Sequence, residues 1–277
     1  MADARYPSLH LNQWQPTRDM LHLYSAVISR VRRDLSDPLP RWGHISLFPR
    51  TDGLTTGAMR IPGGGGATLE IRLDLVNHLT ILETSSGELR YVPLTEGISQ
   101  RDFAVRVRDT IWDMDVDWNV VFDEFADART FVYDPAMASV FVRVLDNVTT
   151  VLRHMKNEIA GETSPVQFWS HHFDLSMEWF SEKLVAHEEN GETTEVNAQL
   201  GFGFVTGDGF INDSYFYINP WPFEAGMISL PLPEGAYWFT NGFNGAVMPY
   251  AMLEDGGTAE LLGFCRKVYE MTAPLLQ

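Results

Sequence analysis

Pro38, Trp42 and His44 recur as Pro165, Trp169 and His171, each at an offset of 127 residues. At the same offset the apolar set Leu69, Ile71, Leu73 and Leu75 falls on Val196, Ala198, Leu200 and Phe202. Apolar residues at every second position mark half-buried strands, and a helical pattern precedes each copy. The spacing predicts two similar α–β units, related by internal duplication, with a Trp and a His on matching strands. Identity is not what carries the repeat. Six identities fall over about 60 aligned positions, against roughly three or four from composition alone. The weight rests on the clustered Pro-x3-Trp-x-His spacing and the shared strand phase.

The remaining elements fit that frame. Pro16-Thr17 reads as a helix entry, followed by an apolar stripe of Leu21, Tyr24, Ile28, Val31 and Leu35 that ends before Asp37-Pro38. Strands are expected at 44–48, 68–75, 78–84 and 88–92. A helix capped by Ser99 is expected over 99–112. Asp134-Pro135 opens a long helix with Phe141, Val144, Val148, Val151 and Met155 facing inward, and Gly161 ends it. A second strand set follows at 166–175, 178–180, 195–204, 214–218 and 236–239, then a last helix from Thr258 to about Met271. Strands grouped between helices define an α+β protein with mainly antiparallel sheets packed against long helices. The expected units are 1–133 and 134–277, packed as one body with no linker.

Composition narrows the function classes. The chain has 277 residues, a formal charge of −17 and one cysteine, Cys265. A phosphate backbone is repelled by that charge, so no nucleic-acid partner is expected. One cysteine permits no intrachain disulfide. The segment 1–13 lacks a basic start followed by an apolar stretch, and no uninterrupted apolar run has spanning length. The expectation is a cytoplasmic protein with no membrane partner.

Several motifs invite chemistry and fall short of it. Asp113, Asp115, Asp117 and Glu124 match the ligand spacing of a calcium loop, but Trp118 stands where the sharp turn needs Gly. Gly63–Gly66 is followed by a strand and has no adjacent Gly-Lys-Ser/Thr, so it reads as a hairpin loop and not a phosphate cradle. Cys265 sits among Leu261, Leu262 and Val268 and reads as a buried, inert thiol. No His-x3-His and no Cys pair exists, so no metal site and no cofactor is expected.

Two groups remain. Strand alternation through residues 168–175 would put Trp169, His171, Phe173 and Leu175 on one face and His172 and Asp174 on the other. The matching face in the first unit carries Trp42 and His44. Imidazole titrates near neutrality and can serve as acid, base or ligand. The competing reading is a packed sheet face whose histidines bond to the backbone. The second group is the aromatic loops, with Tyr215, Tyr217, Trp221, Phe223, Tyr237 and Trp238 in one region.

The chain resembles a bacterial family of uncharacterised soluble proteins defined by a domain of unknown function, over nearly its whole length. The resemblance rests on Trp14 with Leu21-His22-Leu23, Gly53-Leu54-Thr55-Thr56, Tyr133-Asp134-Pro135, Ser164-Pro165-Val166, Phe173-Asp174-Leu175, Phe180-Ser181 and the 217–220 segment. Gln167 stands where the family usually has His. Ser170-His171-His172 stands where it usually has Trp-Gly-Ser. The resemblance implies a fold and carries no reaction.

The functional expectation is a small-molecule-binding protein, with catalysis open, whose aromatic and His-lined pocket lies between the two sheets. Trp42, His44, Trp169, His171 and Asp174 are the expected walls, with Tyr217 and Trp221 as a rim. The alternative is a non-catalytic interaction or structural protein that uses the aromatic loops as a patch.

Overall fold

The computed structural model describes residues 6–95, 97–189, 191–253 and 257–277; the first five residues of the segment 1–13 lie outside it. Among the described residues the chain is α+β, with four helices and two sheets whose strand ladders are antiparallel. It divides into two compact units. The chain passes between them after residue 11, at 146/147 inside the third helix, and on either side of Phe168–Phe173.

The first unit comprises Asn12–Asp146 with Phe168–Phe173. It holds nearly all of α1 (Leu11–Leu35), strands β1 (Phe48–Arg50), β2 (Gly53–Thr55), β3 (Met59–Arg60), β4 (Thr68–Asp74), β5 (Leu79–Thr84) and β6 (Leu89–Pro93), α2 (Gln100–Trp112), and the first half of α3 (Pro135–Glu158). The sheet runs β1-β2-β4-β5-β6, with β3 also on β4. The four-glycine stretch turns the β3–β4 hairpin, as its composition suggested. Ser99 caps α2, its Oγ accepting from the Asp102 amide at 3.1 Å. Tyr24 of α1 lies flat on Phe103 of α2 at 3.8 Å, and its hydroxyl donates to the Ile98 carbonyl. A second aromatic line runs from Trp14 through Phe141 to Phe173 and Phe168, with centroid spacings of 4.9, 5.4 and 5.1 Å.

The second unit comprises residues 6–11, Asn147–Gln167 and Asp174–Gln277. After the rest of α3 come β7 (Glu162–Thr163), the start of β8 (Gln167–Trp169), β9 (Asp174–Glu189), β10 (Glu192–Val205), β11 (Tyr215–Trp221), β12 (Tyr237–Phe239), β13 (Gly245–Pro249) and α4 (Thr258–Thr272). The main path of the sheet is β12-β13-β11-β10-β9-β7. Strand alternation gives β10 two unlike faces. Leu200, Phe202 and Phe204 form the packed face, where Phe202 meets Tyr269 of α4 and Phe204 meets Phe216 and Tyr250. Gly201, Gly203 and Val205 form the other. Cys265 is buried on α4, and burial pushes its thiol up to about 12, as expected of an inert cysteine.

Three local expectations are corrected. Helix α1 begins at Leu11, five residues before Pro16, because Trp14 is fully buried against Phe141 and packing holds the turn that Pro16 weakens. Trp42 and His44 are not on a strand. Arg41 and Trp42 take left-handed backbone, at φ 54° and 58°, in a 3-10 turn over Pro40–Trp42, and β1 starts only at Phe48. The expected strand at 166–175 is broken by a turn at 170–173 that ends on Phe173 at φ 55°, which leaves His171 off the sheet. The Trp–His repeat is therefore not a repeat of strand positions. His187 lies on the long strand that starts at Asp174, opposite Thr194.

Helix α3 is the one described helix long and apolar enough to cross a membrane by length and composition. Its residues Ala138, Phe141, Val144, Leu145, Val148, Val151 and Met155 are buried within the protein, as in a core helix.

Candidate functional site

The second unit places a carboxyl and a phenol together on the glycine face of its sheet. Across the ladders, Val205 stands opposite both Asp174 and Tyr215, Gly203 opposite Ser176 and Tyr217, and Gly201 opposite Glu178 and Asn219. Residues paired in this way share a face. Gly203 is what lets the strands communicate. A Cβ there would lie 2.2 Å from Cζ of Tyr217 and 2.4 Å from its hydroxyl. The ring lies across the bare β10 backbone and reaches β9, where its hydroxyl donates to Oδ2 of Asp174 at 2.6 Å. Asn219 uses Gly201 in the same way.

Asp174 is 6% exposed, and its second oxygen, Oδ1, is buried with no hydrogen-bond partner. Burial raises its pKa to about 7; the Tyr217 hydrogen bond opposes that shift, and the charges of Glu178 and Asp208 add to it. Burial, then the charge of Asp174, pushes the Tyr217 phenol well above its ordinary range, so it remains a donor. A parallel pair stands beside it. Tyr215 donates to Oδ2 of Asp208 at 2.7 Å, and Oδ1 of Asp208 accepts the amides of Phe210 and Ile211. Glu178 is held by Ser176 and Ser164, at 3.1 and 2.8 Å.

Aromatic rings cover this polar floor. Phe243 lies 6.1 Å from Tyr215 in near-parallel planes, 6.2 Å from Tyr217 and 4.9 Å from Phe239. Phe210 and Tyr237 are exposed at the rim. A carboxyl that titrates near neutrality beside a permanent phenol donor can accept or release a proton under ordinary conditions.

The other predicted residues lie elsewhere. Trp42 is 64% exposed and stacks on His44 at 5.8 Å. His44 is buried, and its Nδ1 accepts the Leu39 amide at 3.2 Å, which is a structural role for that nitrogen. Trp169 ends β8 half-buried, with the His171 ring edge-on at 5.8 Å. His171 also meets His172 at 4.3 Å, and its pKa falls to about 4, through partial burial and the charges of His172 and His22. His22 of α1 bonds to the backbone of His171 and Ser170 and packs against Phe173 at 5.3 Å. Trp221 ends β11 edge-on to His187 at 5.5 Å. Of the predicted set, Asp174 and Tyr217 are hydrogen-bonded to each other, and the two Trp–His pairs are formed. Sequence reasoning missed Gly201 and Gly203 as parts of a site. Their signal was Gly-x-Gly inside a strand, a mark of close approach by another group.

Fold and site together define an α+β protein with a buried carboxyl–phenol pair on an aromatic-covered sheet face. The chain belongs to DUF5996, a family of unknown function, whose model matches residues 6–277. No curated protein and no solved structure matches it.

Proposed function

We propose that the protein is a cytoplasmic small-molecule-binding protein whose ligand seats on the Asp174–Tyr217 face. The observation that carries this reading is Oδ1 of Asp174, a buried acceptor without a donor. Leaving such a group unpaired costs about 1–3 kcal/mol, and more when it is charged. A ligand N–H or O–H that meets it recovers that cost. The Phe243 and Phe239 rings supply apolar contact, and the phenol fixes the carboxyl's orientation. With its titration near neutrality, Asp174 is also the group on this face best suited to an acid–base step on a bound ligand.

The test is a thermal-shift screen of the parent and Asp174→Asn against a metabolite library, since a ligand that binds only the folded state must raise the melting temperature. Compounds that stabilise the parent and fail on the variant support the reading. Compounds that stabilise both equally place the ligand elsewhere.

A second reading, a non-catalytic interaction protein, has one observation in its favour. Leu39 and Trp42 are both exposed where the chain enters and leaves the 3-10 turn over Pro40–Trp42, in which Arg41 and Trp42 take left-handed backbone. On that reading, Trp42→Ala would abolish partner binding while leaving every ligand shift intact.

A further inference from the structure

We infer that the ligand of this face is a protonated alkylamine, which sets an N–H on Oδ1 of Asp174 and its charge against the surrounding rings. The inference rests on the proposed ligand face and narrows its chemistry. Two carboxylates of the face lack a cation. The charges that bear most on Asp174 are those of Glu178 and Asp208, both acidic, and the side chain that donates to it is the neutral Tyr217 phenol. Asp208 is held by two backbone amides and the Tyr215 phenol. Neither carboxylate forms an ion pair with Lys, Arg or His among the described residues. Asp208 is half-buried, but Asp174 is buried, and a buried carboxylate is ordinarily paired, so the missing component is positive and carries a hydrogen-bond donor for Oδ1.

The rings select the same ligand. Tyr215, Tyr217, Phe239 and Phe243 converge beside the two acids, with Phe243 central to all of them. Aromatic faces attract ammonium groups through their quadrupole, and an apolar alkyl stem packs on the same surface. A neutral alcohol would supply a donor to Oδ1 but leave both acids uncompensated. A quaternary ammonium would supply charge but no donor. The formal charge of −17 draws cations toward the molecule and repels anions.

The experiment compares n-butylammonium chloride, tetramethylammonium chloride, and n-butanol in sodium chloride, all at matched ionic strength and pH 8. Binding is read by chemical-shift titration of the 15N-labelled protein. Butylammonium should saturate, with the largest shifts at Tyr215, Tyr217 and Phe243, and bind about tenfold or more tighter than either comparison. Asp174→Asn should weaken butylammonium about tenfold, and Phe243→Leu by roughly threefold. The second variant serves as the check if the first is misfolded by circular dichroism. Butanol binding as tightly as butylammonium on this face, with Asp174→Asn still sensitive, overturns the amine and leaves the ligand face standing. Shifts scattered over the acidic surface and unchanged in both variants overturn the amine as well. A metabolite screen in which no compound depends on Asp174 overturns the face itself.

Discussion

The Tyr217 phenol crosses the backbone of Gly203 to donate to Oδ2 of Asp174 at 2.6 Å, and the other oxygen of that carboxyl is buried without a hydrogen-bond partner from another residue. This half-satisfied pair is built between β9 and β11 over a glycine.

The first consequence is a pH dependence. Asp174 has a folded pKa of about 7, raised above the unfolded value of about 3.9. The folded state therefore holds a proton that the unfolded state has lost between roughly pH 4 and pH 7. This group's contribution to stability falls as pH rises through that window, by about 2–4 kcal/mol in total, and the loss is complete above pH 7. The groups facing it are Tyr217, Glu178 and Asp208, all acidic or phenolic. Urea unfolding at pH 5 and pH 8 should show Asp174→Asn gaining stability relative to the parent at the higher pH. Identical pH slopes for the two proteins would mean that Asp174 ionises in the native state as freely as in the unfolded chain.

The glycine is the second lever. Gly203→Ala puts a methyl where the Tyr217 ring lies, so the ring must leave Asp174. The loss should be about 1–3 kcal/mol, from the broken hydrogen bond and the displaced ring. Tyr217→Phe removes only the hydroxyl and should cost less, with the pKa of Asp174 moving further up. A fully stable Gly203→Ala protein would show that the ring crosses elsewhere.

The aromatic line of the first unit is structural. Phe141 is buried between Trp14 and Phe173, so Phe141→Ala should cost about 3–5 kcal/mol in denaturant unfolding. A loss below about 1 kcal/mol would place that stripe at a loosely packed surface.

Much of this fold was legible because its signals are local. The Ser99 cap, the Asp134-Pro135 helix start and the alternation along β4 and β10 each act within a few residues, and the elements form where those signals fall. The expected strands at 44–48 and 166–175 are cut short by the turns at Pro40–Trp42 and 170–173. Their left-handed residues are Arg41, Trp42 and Phe173, none of which advertises positive φ as glycine does. The site was half legible. Asp174 and Tyr217 stood out as a polar residue and an aromatic on strands, but their pairing depends on a register that places Gly203 between them. No local pattern encodes that register.

The two histidines first singled out should behave differently. His44 is buried and accepts a backbone amide, so His44→Ala should cost about 1–3 kcal/mol. His171 lies on the exposed turn, and His171→Ala should stay within about 0.5 kcal/mol of the parent. In a ring-proton titration His171 should remain neutral well below pH 6, in line with its pKa near 4. Equal destabilisation by the two substitutions would return His171 to a core role.

The most direct test is a 13C titration of the Asp174 carboxyl, assigned by its absence in Asp174→Asn, with and without n-butylammonium. A midpoint near 7 in the free protein, moving down when the amine is added, is the result expected of a buried carboxylate waiting for a cationic donor. A midpoint near 4 that the amine leaves unmoved would contradict it.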